Sequence, residues 1–282
     1  MNSIGTVNET PAQYGTPVVT PMSRSRTHVL LHGVSWNTFE RLIEETGEDR
    51  KALFAYDNGD FEIREWREGC VMLRNVSWDT YCTLLRETGD ERKCRMAYSN
   101  GELEIMAPSG EHEDFNLQLH DMVTILLREL KIPYRPLGHM TVKRDHVKKG
   151  IEPDMCYYIR NYPLVRGLRG RELDSQDIPV PDLMVEVDIH NSSLNKLKLC
   201  ERLGVLEHWR IRNAKLEIRI LKDGQYERTE ESAAFPGIRV QKIAELLQEP
   251  ALDSYERLDA FQDWIRQHLR PKPPRRTGKK RP

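Results

Sequence analysis

The sequence predicts a mixed α/β fold: a central sheet flanked by helices, preceded by a duplicated unit of one helix and one hairpin. Three observations predict it. Two stretches of the N-terminal third align at a constant offset. Helical periodicity governs residues near 110–130 and 254–269. Between those helices, short apolar runs bounded by turn residues recur, in the order strand, strand, strand, helix, strands.

Taken in order, the first 26 residues are rich in Thr, Pro, Ser and Asn and lack a basic-then-apolar leader pattern, so they read as a disordered lead-in. Residues 33–63 then align with residues 75–105, and 16 of the 31 pairs are identical. Ser35 and Ser77 are N-cap candidates, and Gly47 and Gly89 are stop signals after each helix. Asn58-Gly59 and Asn100-Gly101 are two-residue turn signals between short strands. Two copies are too few for a solenoid. They suit a duplication that widens a sheet or forms a dimer surface.

Phe115, Leu119, Met122, Val123, Leu126, Leu127 and Leu130 recur at helical spacing, which predicts a helix near 110–130. His112 falls near the centre of its apolar face and Glu113 falls away from it. Strands are expected near 139–145, 154–159 and 182–189. A helix near 193–203 follows, with Ser192 or Ser193 as N-cap. Strands near 207–212, 215–221 and 225–230 form a meander, and a last helix covers 254–269 with Phe261, Trp264, Ile265 and Leu269 as its stripe. The tail over 271–282 is basic and proline-broken. The expected units are the lead-in (1–26), the two copies (27–70 and 71–106), a core (107–250), a terminal helix (251–270) and the tail.

Composition narrows the class. Hydrophobic residues make up 38% and charged residues 31%, and the formal net charge is -1. Any contact with nucleic acid must then come from a local patch. The five cysteines are odd in number and form no C-x-x-C pair, which fits a reducing cytoplasm. No stretch approaches the roughly 18 apolar residues of a membrane span.

The residues that carry chemistry are Asp154, Glu186, Asp188 and Lys196. In PDLMVEVDI the side chains alternate, so Asp182, Met184, Glu186 and Asp188 share one face and Leu183, Val185, Val187 and Ile189 the other. A carboxylate amid apolar strand residues is costly unless paired or ligating a metal. Placing 154–159 beside 182–189 brings Asp154 close to Glu186. Asp154, Glu186 and Asp188 are therefore candidate ligands for Mg²⁺, with Mn²⁺ as a substitute; structural ion pairing of Glu186 and Asp188 is the competing reading. Lys196, in the first turn of the following helix, would orient an attacking water, and the positive helix end should lower its pKa slightly. A solvated helix lysine is the competing reading of Lys196, and Lys198 is a nearby decoy. His112 joins the set from the helix start, or is a satisfied core histidine. Glu102 and Glu104 share one face of the hairpin strand and read as solvated. The second Pro-Asp pair, at 181–182, reads as strand punctuation.

At these residues the chain resembles the Uma-two family of restriction endonucleases, within the PD-(D/E)XK nuclease superfamily. VSWDTY, NGELEIMAPSGEHE, the EPD of 152–154, PDLMVEVDIHNSSLNK and LGVLEHWRI occur in family order over about 75–212. The resemblance implies a restriction-endonuclease-like core and divalent-metal-dependent cleavage of DNA, with Asp154 as first acid, Glu186 as second acid, Lys196 as the lysine and His112 as the histidine opening the first core helix. The superfamily motif puts lysine two residues after the second acid; here Asp188 stands there, and Lys196 reaches in from the next helix. Double-strand cleavage would suit a homodimer. The competing expectations are a nucleic-acid-binding or regulatory module on a nuclease fold that no longer cleaves, and a protein-interaction component that uses the duplicated unit as its surface.

Overall fold

Ser35 and Ser77 set where the chain first turns helical. Each hydroxyl accepts from a backbone N–H three residues on, Thr38 at 3.2 Å and Thr80 at 3.1 Å. The computed structural model describes residues 27–65, 69–138, 140–169, 172–173, 175–188, 194–212 and 215–269. The lead-in (1–26), the tail (271–282), Ile189 and the N-cap candidates Ser192 and Ser193 lie outside the described residues.

The N-terminal third runs β1 (Thr27–Leu31), α1 (Trp36–Thr46), β2 (Ala52–Asp57) and β3 (Asp60–Glu65), then β4 (Cys70–Leu73), α2 (Trp78–Thr88), β5 (Arg95–Ser99) and β6 (Glu102–Met106). Asn58-Gly59 and Asn100-Gly101 all have positive φ, the geometry a tight two-residue hairpin turn demands. β1-β3-β2 form one antiparallel sheet. The leading strands β1 and β4 are short apolar runs without periodicity to flag them.

Next come α3 (Gly110–Glu129), β7 (Arg135–Leu137), β8 (Val142–Arg144), β9 (Lys149–Ile151), β10 (Met155–Tyr158), α4 (Tyr162–Val165), β11 (Leu183–Asp188), α5 (Lys196–Leu203), β12 (Glu207–Arg212), β13 (Lys215–Lys222), β14 (Gln225–Thr229), α6 (Gln241–Leu247) and α7 (Ser254–Leu269). The six-stranded sheet is mixed, in the order β14-β13-β12-β11-β10-β7, with β11 and β12 parallel. The strand expected near 139–145 is β8, shorter than expected at Val142–Arg144; it pairs with β9, and β7, which the sequence did not announce, lies at the edge of the mixed sheet. β9 in turn pairs with β5 and extends the second copy into a five-stranded sheet, β4-β6-β5-β9-β8.

The mixed sheet is packed on both faces. Leu183, Val185 and Val187 meet Leu119, Met122, Val123, Leu126 and Leu127 of α3, with Phe261 and Ile265 of α7 behind them. Burying each such side chain contributes roughly 1.5–3 kcal/mol. Met184 and Cys156 face the other way, against Leu199, Cys200 and Leu203 of α5. This strict alternation puts Glu186 and Asp188 on the α5 face. Among the described residues, which include all five cysteines, there is no disulfide. Among the described residues, no helix is long and apolar enough to cross a membrane.

Candidate active site

β10 and β11 run antiparallel with Met155 opposite Val185, so one step further places Asp154 opposite Glu186. Both carboxylates are 4% exposed. Asp154 Oδ2 accepts from Val187 N at 2.7 Å, and its Oδ1 is ion-paired with Arg95. Glu186 Oε2 lies 3.0 Å from Lys196 Nζ. Glu186 Oε1 is buried and has no hydrogen-bond partner among the described residues.

Lys196 opens α5. Asn195 is the N-cap, its side chain accepting from Lys198 N, so the helix starts three residues later than expected. The expected direction of the Lys196 shift is also corrected. Burial lowers its pKa, but Glu186 and then Glu104 outweigh burial and hold it above the ordinary lysine value. A lysine clamped to a carboxylate is a fixed positive charge. The segment leading into α5 is tied down as well, because Leu194 N donates to Glu104 Oε2 at 3.2 Å. Glu104 is therefore a buried member of the site, 2% exposed, and not the solvated acid expected; its neighbour on that face, Glu102, is indeed half exposed beside Arg74.

His112 points inward. Its Nε2 lies 3.2 Å from the Val187 carbonyl and 3.3 Å from Asp154 Oδ2, and Asn116 Nδ2 donates to its Nδ1 at 3.1 Å. These partners define a neutral ring with the proton on Nε2. Burial, then Arg95, pushes its pKa down, against the pull of Glu113. Asp188 is committed elsewhere: Arg210 pairs with it and Arg212 stands 3.9 Å away. Asp182 accepts from Ile159 N, Asn161 N and Asn161 Nδ2 at 2.7–2.9 Å, which is a structural clasp at the start of the strand.

Sequence reasoning missed Arg95, Glu113, His208 and Arg210. Arg95 bridges Asp154 and Glu113, the latter at 2.7 Å. The available signal was a departure within the repeat, since Arg95 aligns with Leu53. Glu186, Asp188, Lys196, His208 and Arg210 line a cavity of about 400 Å³. His208 is buried, among the described residues neither of its ring nitrogens is hydrogen-bonded, and burial together with Arg219, Arg210 and Lys196 lowers its pKa to about 3.

The donor set fits a divalent cation in part. Glu186 and Asp154 offer hard carboxylate oxygens, and the unpartnered Oε1 of Glu186 is a buried anion open to a cation. Arg95 already supplies positive charge to Asp154, and Asp188 is turned to Arg210. Among the described residues no three His, Cys, Asp or Glu side chains converge in ligating geometry.

Residues 78–252, more than half of the chain, match the model of a family described as "Uma2: Putative restriction endonuclease". The match starts at the first residue of α2 and so begins inside the second copy. No curated protein matches the chain.

Proposed function

Because the chain belongs to the Uma2 family, whose description is "Putative restriction endonuclease", we propose that it is a divalent-metal-dependent endonuclease on a restriction-endonuclease-like core, hydrolysing phosphodiester bonds of DNA. One observation carries the proposal: Glu186, with an oxygen unpartnered among the described residues, stands opposite Asp154 on the neighbouring strand and 3.0 Å from Lys196, at the wall of an open cavity. Asp154 and Glu186 are the residues that would hold Mg²⁺ or Mn²⁺, which supplies Lewis-acid activation of water and charge neutralisation at the phosphate.

The chain's own residues divide the remaining work. Lys196 stays protonated at neutral pH, so it orients the attacking water and faces the developing negative charge; it does not take the proton. His112, through Val187 O and Asp154 Oδ2, fixes the spacing of β10 and β11 at the carboxylates. Arg210, at the cavity wall, is placed to meet a phosphate of the strand, with Asp188 holding its guanidinium.

The test is nicking of supercoiled plasmid in Mg²⁺ or Mn²⁺. Wild type should cut, and Asp154→Ala, Glu186→Ala and Lys196→Ala should each lose at least a hundredfold. Cutting that persists in all three variants sinks the mechanism. A second reading rests on Arg95. Its ion pair with Asp154 places a guanidinium against the first carboxylate, which favours a nucleic-acid-binding module that does not cleave. That reading expects metal-independent DNA binding with a steep salt dependence and no nicking by wild type.

A further inference from the structure

β5 has neighbours on both edges, whereas among the described residues its counterpart β2 pairs only with β3, at the edge of a three-stranded sheet. The second copy therefore displays an occupied form of a surface that the first copy leaves open. Its occupant is β9 with the residue after it. Gly150 lies opposite Tyr98, and a Cβ there would run into the Tyr81 hydroxyl and sit 2.8 Å from ring carbon Cε1. Two residues on, Glu152 N donates to Met96 O at 3.0 Å, and Met96 N donates to Glu152 Oε2 at 2.7 Å. The same carboxylate pairs with Arg92. The seat thus reads three features: an extended backbone, a glycine beneath an aromatic ring, and an acid two residues later.

The receiving groups recur in the first copy, with the ring but not the hydroxyl of Tyr81. Arg50 corresponds to Arg92, Phe54 to Met96, Phe39 to Tyr81 and Tyr56 to Tyr98. The aromatic shelf is superposable in its spacings: Phe39–Tyr56 centroids are 4.8 Å apart and Tyr81–Tyr98 centroids 4.9 Å. Phe54 pairs with Ile63 as Met96 pairs with Ile105, so by the same register it turns its N–H and C=O outward. Arg50 donates to Gly47 O as Arg92 does to Gly89 O, but among the described residues it has no carboxylate partner, and its Nε is buried without a hydrogen bond. It lines a cavity of about 570 Å³ whose other charged residues are Lys51 and Arg74 with Asp49 and Glu65, so Arg50 is the cation there that the repeat places to receive an acid. Leu53, on the open strand, is 61% exposed, and Trp36 beside the shelf is 52% exposed.

We propose that the outer edge of β2 is a docking site for an extended strand of a partner protein carrying glycine, any residue, then an acid, with the glycine over the Phe39–Tyr56 shelf and the carboxylate on Arg50. Main-chain pairing supplies affinity, and the glycine and acid supply selection. A second β2 is a poor occupant, because Ala52–Asp57 contains no glycine and would press a Cβ against the shelf.

The probe is a fluorescent peptide of residues 141–152, TVKRDHVKKGIE, added to the full-length chain. Saturable anisotropy is expected. It should weaken at least tenfold with Arg50→Ala protein, equally with a Glu152→Gln peptide that needs no protein variant, and vanish with a Gly150→Val peptide. Amide exchange at Phe54 should slow when the peptide binds. Absence of saturable binding at millimolar peptide, or binding indifferent to all three changes, overturns the proposal. So does a dimer in sedimentation that Arg50→Ala dissociates, which would make a second copy of the chain the occupant.

Discussion

The two copies of the N-terminal unit share their caps, their Asn-Gly turns and their aromatic trio, but they face different surroundings. Tyr56 and Tyr98 each donate to a carbonyl at 2.9 Å, Val34 in one copy and Val76 in the other. The outward-facing positions of the strand after the helix diverge. In the first copy Leu53 and Ala55 are exposed; in the second, Arg95 and Ala97 are 6% and 4% exposed, beneath the neighbouring elements of the core. One scaffold was thus kept in both places, while the position facing outward became an arginine where it meets Asp154. The difference shows that the inner face of a repeat holds its shape and the outer face carries its chemistry.

Exchanging the diverged residues is the most forceful way to break this comparison. Arg95→Leu gives the second copy the residue of the first and removes a buried partner from Asp154 and a guanidinium from Glu113. Breaking a buried pair from one side costs about 3–5 kcal/mol, read as a fall in the urea midpoint at constant slope. Leu53→Arg, at an exposed site, should stay within about 0.5 kcal/mol. Equal effects from the two exchanges would mean that the outer faces are not functionally distinct.

A smaller effect sharpens the comparison at the occupied edge. Gly150→Ala drives a methyl into Tyr81 and should cost about 1–3 kcal/mol. Among the described residues the Tyr81 hydroxyl has no hydrogen-bond partner, so Tyr81→Phe, which restores the first copy's ring, should be neutral or mildly stabilising. In the Tyr81→Phe background the Gly150→Ala penalty should shrink, because the nearest clashing atom is gone. A double-mutant cycle measures that coupling; a value of zero would show that the hydroxyl does not select the glycine.

How much of this was legible beforehand depends on the range of the contacts. α3 and α7 were legible from periodicity alone, and the α5 face of β11 from alternation, because both patterns are local. The approach of Asp154 to Glu186 followed from strand punctuation once the two strands were set side by side. Arg95 was not legible, since its role depends on an ion pair to a residue 59 positions away. Glu104 was masked by the repeat itself: it is identical to Glu62, which is paired with His28 near the surface, so only its surroundings distinguish it. β7 and β9 were missed because three-residue strands carry too little alternation to register, and β9 rests on its pairing with β5.

The smallest expected effect concerns what the copies share. Each helix is capped across the interface by an acid from the other. Glu87 of α2 accepts from Ser35 N at 3.0 Å and from Ser35 Oγ at 2.7 Å; Glu45 of α1 accepts from Ser77 N at 2.8 Å and from Thr80 Oγ1 at 2.7 Å. Glu45→Ala and Glu87→Ala should therefore each cost about 1 kcal/mol, and by equal amounts. Burial raises the Glu87 pKa, but its bonds to Ser35 and Thr38 outweigh burial and leave it below its ordinary value. A carboxylate whose pKa is depressed by folding contributes stability that is fully present above its unfolded value and lost as pH falls through its folded one. The Glu87→Ala penalty, measured by chemical denaturation, should thus be full at pH 7 and shrink below the ordinary glutamate range. A penalty unchanged in acid would remove the charged cap as its cause, and unequal penalties at pH 7 would show that the two copies do not hold each other symmetrically.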